Sequence, residues 1–388
     1  MSTRKYLAGL LGAATLAAFS VQPAAADTFR FALGFPSGAP IEAGKKYAEA
    51  VKEYTNNRHR VRLFELSLLN HSEMSEGINK GLADIGYLLT AYSPSDYPFS
   101  NMGADLSMVT ALSNNIEGQE GYAYSGAMLE YIMLNCEECQ EEFNKNNQVY
   151  TSVVSTPAYV MFCNDPIDSL ASVKGKRLRI SGAPWARWAR AFEAQPVALP
   201  VGEIYEALSQ GVVDCTFLSP TELTNFNLIE VVRNITTDVP GGLYAAGGSS
   251  TLNKTKWDAF SGEDKEAFLK AGAVMAAQIT YLYQEQATAD LEKARARGIN
   301  IIQSQPDMLE KSREFIKKDL EYVPQFYADE YKLDVNRLKE LSATMLGLIE
   351  KWEGIIAKAD IKSADDLRDV YWEEVYSKID PSQYSPKK

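Results

Sequence analysis

The chain has 388 residues, with 39 basic against 51 acidic side chains and a formal charge of −12. That length exceeds what one small core holds and suits two lobes. An acidic chain with no basic stripe excludes a general nucleic-acid binder.

The first residues read as an export signal. Arg4 and Lys5 precede an uncharged, Ala/Leu-rich stretch over 7–21, and Pro23-Ala24-Ala25-Ala26 ends it with small residues. That is the charge order and ending of a signal peptide cleaved after about Ala26. The apolar run is about 15 residues, short of the roughly 20 that span a bilayer. A retained anchor is the alternative. No cysteine follows the cleavage point to carry a lipid, and no second long apolar stretch occurs. The mature protein is therefore expected to be exported and not itself membrane-embedded.

Residues 29–35 read as a strand. Residues 41–55 follow as a helix, with Ala43, Tyr47, Ala50, Val51 and Tyr54 on one stripe. Residues 60–66 alternate as a second strand. Glu76-Gly-Ile-Asn-Lys-Gly81-Leu-Ala-Asp84-Ile-Gly-Tyr87-Leu88 then gives a helix, a glycine stop and a short buried strand. Residues 117–150 look like an insertion carrying Cys136 and Cys139. Further on, 177–180, 185–193 and 196–199 read as strand, helix and strand. They lead into Glu206-Ala-Leu-Ser-Gln-Gly211-Val-Val-Asp214-Cys-Thr-Phe217-Leu218, which echoes the earlier motif. Glu, Gly, Asp and Leu recur in register, and Tyr87 matches Phe217.

A β-α-β-α-β order thus occurs twice, each copy closed by a Gly-x-x-Asp turn. This predicts the α/β class, with two open α/β sheets and helices on both faces; one α/β domain with a chance echo is the alternative. Residues 236–242 and 245–250 read as a crossover back to the first lobe. Ser261-Gly-Glu-Asp-Lys265 carries a cap and first-turn acids. It opens a helix reaching about residue 297 that is long enough to span both lobes. Residues 307–359 read as amphipathic helix and 381–388 as a disordered end. The expected division is 1–26 signal peptide, 27–155 with 238–262 lobe I, and 156–237 with 263–350 lobe II and the spanning helix. Residues 351–388 form a C-terminal helical extension and tail.

Four cysteines allow three pairings in an oxidising compartment. The preferred pairing is Cys136–Cys139 with Cys163–Cys215. The first pair is a C-x-x-C, so redox and zinc roles compete with a structural bridge. Glu137, Glu138, Glu141 and Glu142 oppose a reactive thiolate. His59 and His71 are too far away in sequence to complete an evident zinc set.

Ligands of open α/β sheets sit beyond the carboxyl ends of the strands. With facing lobes this points to the cleft, and to the residues just after each strand: Phe35 and Ser37, Tyr87 and Leu88, Ser181 and Trp185, Phe217 and Ser219. Trp188 and Phe192, one helical turn apart, read as packing.

Lys174-Gly-Lys-Arg-Leu-Arg179-Ile-Ser and Pro196-Val-Ala-Leu-Pro200-Val-Gly-Glu203-Ile-Tyr205-Glu-Ala207-Leu208-Ser-Gln-Gly211-Val-Val-Asp214 resemble the solute-binding subunit of TRAP transporters, the DctP-type family. Gly81-Leu-Ala-Asp84-Ile-Gly and Leu252-Asn253-Lys254 with Trp257 fit too. The resemblance implies a two-lobed, type II-like periplasmic binding protein with a long helix spanning both lobes. It implies capture of a small organic acid and delivery to a TRAP membrane permease. It also implies that Arg179, the last arginine of the Gly-x-Lys-x-Arg strand, clamps the ligand carboxylate, with Arg177 in the usual lysine's place. A planar fork of donors matches a carboxylate bidentately; an arginine paired with an internal acid is the alternative. Many members carry a second arginine shortly before the Pro that precedes this strand. Here that stretch is Ala158-Tyr159-Val160, and Tyr159 offers one hydrogen bond instead. With Phe35, Tyr87, Leu88, Trp185 and Phe217 apolar and Ser219 a polar point, the expected ligand is a monocarboxylate with an apolar or aromatic body.

The chain has no Gly-x-Ser-x-Gly elbow and no G-x-G-x-x-G after its first strand. Its two histidines lack an obvious nucleophile partner. Asp84 and Asp214 read as turn residues rather than a catalytic pair. No enzyme activity, cofactor or metal is expected. A secreted α/β enzyme acting on a small carboxylate, or a sensory binding protein, is the alternative.

Overall fold

The computed structural model describes residues 27–113, 116 and 118–385; the expected signal peptide and its cleavage point lie outside them. The strands in chain order are β1 (Asp27–Leu33), β2 (His59–Glu65), β3 (Ile85–Leu89), β4 (Gln148–Val149), β5 (Val160–Cys163) and β6 (Arg177–Ile180). They continue with β7 (Gln195–Ala198), β8 (Cys215–Leu218), β9 (Asn234–Thr236), β10 (Gly247–Asn253) and β11 (Asn300–Ile302). One sheet has the order β2-β1-β3-β10-β4 and the other β11-β9-β5-β8-β6-β7.

The echo in sequence is an echo in topology. In the first sheet β1 runs parallel to β2 and β3, and β10 is antiparallel to β3. In the second, β6 runs parallel to β7 and β8, and β5 is antiparallel to β8. Helices Met74–Asn79 and Ile204–Ser209 stop at Gly81 and Gly211, whose φ values are +71° and +65°. No atom stands within 4 Å of a Cβ built at either glycine, so the left-handed backbone alone favours glycine there.

The aspartate of each turn then clasps an arginine on the neighbouring strand. Asp84 accepts from the Arg30 backbone N–H at 2.9 Å and from its Nε at 3.0 Å. Asp214 accepts from the Arg177 backbone N–H at 2.7 Å and from its Nε at 3.1 Å. Each clasp fixes the register of a parallel strand pair at the end away from the cleft.

The helix Gly262–Ala296 runs 35 residues, or about 50 Å at 1.5 Å per residue. Ser261 caps it by accepting from the Asp264 N–H at 3.1 Å. It packs along the first helix, Ala39–Tyr54. Gln286 on this helix ties the two lobes together. Its Nε2 donates to Thr221 O and Asn225 Oδ1, both at 2.9 Å, while its Oε1 accepts from the Ala39 N–H at 3.2 Å.

The 118–150 segment, read as an insertion, is built into the core: Tyr122 to Leu129 are buried, and Gly126 leaves room for the Trp352 ring. Two expectations change. The helical pattern over 307–359 is two helices, Pro306–Tyr331 and Val335–Ile356, separated at Lys332, whose φ is 58°. Most of the expected disordered end is anchored. Tyr384 is buried, its hydroxyl donates to Tyr150 O at 2.6 Å, and its carbonyl accepts from Trp257 Nε1 at 3.2 Å. A Pro/Ser/Lys composition hides a single aromatic anchor; 386–388 lie outside the described residues.

Both disulfides of the preferred pairing are formed, Cys136–Cys139 and Cys163–Cys215. The second joins β5 to β8 at directly paired positions. No described helix is long and apolar enough to cross a membrane.

Candidate functional site

The carboxyl ends of the strands face a cleft that holds a small cavity. Phe35, Tyr87, Leu89 and Tyr92 line it from the first lobe. Tyr159, Arg179, Ser181, Leu218 and Glu222 line it from the second, and Tyr283 enters from the long helix.

Arg179 sits on β6 between Val197 of β7 and Thr216 of β8, and is only 1% exposed. Its Nε donates to Leu199 O at 2.9 Å and its Nη2 to the Tyr92 hydroxyl at 3.4 Å. Its Nη1 has no hydrogen-bond partner. No acid among the described residues forms a salt bridge with it, whereas Arg30 and Arg177 are both paired. A buried guanidinium with an unmet N–H carries a free-energy cost that a bound anion would relieve.

The walls are aromatic and neutral. Burial raises the phenol pKa of Tyr87, Tyr159, Tyr244 and Tyr283 above the usual value, so all four remain donors. The Tyr87 and Tyr283 hydroxyls meet at 3.4 Å. His71 lies behind the wall, edge-on to Phe35 at 4.5 Å between ring centroids. Burial pushes its pKa down to about 3, so it adds no positive charge. Glu222 adds an acid at the cavity surface; burial pushes its pKa up to about 7.

Of the residues expected at the site, Arg179, Phe35, Tyr87, Tyr159 and Ser181 line the cavity. Four do not. Ser37 is exposed in the turn before the first helix. Trp185 is one layer back, stacked on Tyr159 at 4.5 Å, with its Nε1 donating to Gly241 O at 3.1 Å. Phe217 packs edge-on to Trp188 at 5.3 Å, because strand alternation turns it away and presents Leu218 instead. Ser219 is buried and accepts from the Thr221 hydroxyl at 3.0 Å. Leu88 is also buried off the cavity, while Leu89 lines it. Trp188 and Phe192 pack together at 4.4 Å, as expected.

Sequence reasoning missed Tyr92, Glu222, Phe226, Tyr244 and Tyr283. Tyr92 and Glu222 follow strands by several residues, so a wider window past each strand end would have reached them. Tyr244 lies in the crossover and Tyr283 mid-way along the long helix, where no local signal marks them.

A family model described as bacterial extracellular solute-binding protein, family 7 (DctP) matches residues 37–327. The chain belongs to that family. As a DctP-family member it is an extracytoplasmic solute-binding receptor rather than an enzyme, so the secreted-enzyme alternative falls away. A curated relative from Comamonas testosteroni, named outer membrane transporter protein TsaT, is 28% identical over 66% of this chain and 72% of its own. Among solved structures, DctP7 of Bordetella pertussis, an extracytoplasmic solute receptor binding pyroglutamic acid, superposes with a TM-score of 0.68 at 17% identity. That match covers 82% of this chain and 100% of the other. A TRAP periplasmic solute binding protein from Bordetella bronchiseptica with bound (R)- and (S)-mandelate gives 0.66 at 19% identity, over 84% and 99% of the two chains. These likenesses are of the fold.

Proposed function

We propose that this receptor captures a small monocarboxylate at Arg179 and delivers it to a TRAP-type membrane permease. The observation that carries the reading is the buried, unpaired Nη1 of Arg179 in a cavity whose lining is rich in aromatic side chains. One guanidinium, with no second cation lining the cavity among the described residues, suits one carboxylate. Phe35, Tyr87 and Phe226 suit an apolar or ring-shaped body. Pyroglutamic acid and mandelate, held by proteins of this fold, are acids of that size and kind.

Closure follows from contacts to both lobes. The ligand bridges Arg179 of the second lobe and the aromatic wall of the first, and contacts made only when the lobes meet favour the closed state. The long helix, tied to both lobes through Gln286, carries the hinge motion. The closed outer surface is what the permease recognises. The signal peptide directs export to the periplasm and is cleaved after about Ala26, and the 27–155/238–262 and 156–237/263–350 segments move as the two lobes.

Native mass spectrometry of the purified protein tests this. The expected result is one unmodified small carboxylic acid per chain. A neutral molecule at one per chain, or conversion of the bound acid, would overturn the reading.

A further inference from the structure

The arginine clamp leaves a second charged group in the same cavity unexplained. Glu222 begins the short helix Glu222–Asn225 after β8 and is 5% exposed. Its Oε1 accepts from the Thr221 hydroxyl at 3.2 Å, a donor that also reaches Ser219 at 3.0 Å. Its Oε2 has no hydrogen-bond partner. The Asn225 amide stands near enough to favour the charged form, yet neither its nitrogen nor Oε2 makes a bond of normal geometry. Arg179 is close enough for its charge to bear on Glu222, but the two form no ion pair. A structural acid would close on that arginine. Here each keeps one polar atom unmet, and both line the same space.

A buried oxygen left without a donor costs free energy that a correctly placed donor recovers. An ionised carboxylate only accepts hydrogen bonds, so its complement is an N–H or an O–H. We propose that Glu222 is a specificity-determining residue that accepts a hydrogen bond from the ligand, so that the ligand is a small carboxylate also bearing an N–H or O–H donor. This rests on the carboxylate reading above and narrows it: the anion is held at Arg179 and the donor at Glu222, with aromatic walls between. Burial pushes the Glu222 carboxyl up to about 7. A donor at Oε2 favours the ionised form and draws it back down.

The test is calorimetric titration of the full mature protein, stripped of ligand by unfolding and refolding, with matched acids. One pair is pyroglutamate and its ring-oxygen lactone counterpart, which replaces the N–H by an acceptor. The other is mandelate and phenylacetate, which lacks the hydroxyl. The wild type is expected to prefer the donor-bearing member of whichever pair binds by about 10- to 100-fold. Glu222→Leu should abolish that preference. Glu222→Gln, which keeps an acceptor oxygen, should retain part of it, and cooperative thermal unfolding of both variants confirms that they fold. Equal binding within the pairs by wild type overturns the role of Glu222 and leaves the carboxylate reading standing. Primary amides binding as tightly as their acids overturn the carboxylate reading instead. Failure of every acid in both pairs counts against both.

Discussion

Arg179 Nη2 donates to the Tyr92 hydroxyl at 3.4 Å across the cleft, and the same hydroxyl accepts from the Val201 N–H at 3.0 Å. Tyr92 follows β3 in the first lobe; Arg179 and Val201 belong to the second. One phenol therefore bridges the lobes beside the proposed carboxylate clamp. Tyr92→Phe removes both bonds and keeps the ring. It should weaken ligand affinity about 3- to 30-fold, mostly through faster release. Stopped-flow dissociation measures this, and an unchanged off-rate would show that closure does not use the bridge.

Arg179→Ala should nearly abolish ligand-induced thermal stabilisation while the protein still folds. Removing one partner of a buried charge pair costs about 2–5 kcal/mol, roughly 30- to several-thousand-fold in affinity. Arg179→Lys should also bind weakly, because a single ammonium cannot serve Leu199 O, Tyr92 and a carboxylate in the same plane. Full stabilisation in the alanine variant would eliminate Arg179 as the clamp.

A second buried cluster sets a pH dependence of stability. Arg187, between β6 and β7, donates to Asp319 at 2.6 and 2.9 Å, and its Nη1 lies 3.6 Å from Asp105. Burial, with repulsion from Asp319, pushes Asp105 up to about 7 despite the pull of Arg187. Between the ordinary 3.8 and about 7, the folded protein keeps a proton that the unfolded chain has released. Stability from this group is therefore full at low pH and falls as pH rises through that window. Asp105→Asn, which mimics the protonated form, should gain on wild type by about 1 kcal/mol per pH unit between about pH 4 and pH 7, and no further above that. Parallel pH-stability curves for the two proteins would rule the effect out.

The two disulfides should differ in weight. Loop-closure entropy grows with the length of chain enclosed, giving about 4 kcal/mol for the Cys163–Cys215 separation of 52 residues and about 2 kcal/mol for the separation of 3 in Cys136–Cys139. Denaturant unfolding of the two paired Cys→Ser variants checks the order. An equal or reversed cost would mean that packing around the short loop dominates.

Much of the frame was legible in sequence because it is local. The Gly-x-x-Asp turns need a left-handed glycine and an aspartate beside a strand, and both are written in consecutive letters. The arginines that complete the clasps, Arg30 and Arg177, lie on strands distant in sequence, so their pairing was not legible. Arg179 was reached through a motif with a family likeness, whereas Phe217 was misplaced because facing depends on strand parity. Tyr244 and Tyr283 reach the cavity from segments whose paths only the folded chain defines. The tail shows the same limit: Tyr384 docks against Trp257 and Tyr150, partners that no local pattern near residue 384 announces.

The paired clasps let the two halves be laid over one another residue by residue. Arg30 then matches Arg177, and two positions on, Ala32 faces Gly86 where Arg179 faces Thr216. A methyl group thus stands in one half where the other presents a cation. The symmetry of the scaffold is broken at that position, and under the proposed carboxylate reading this sets an order of events: an arriving anion docks on the second half while the mouth is open, and the first half arrives afterwards as a cover.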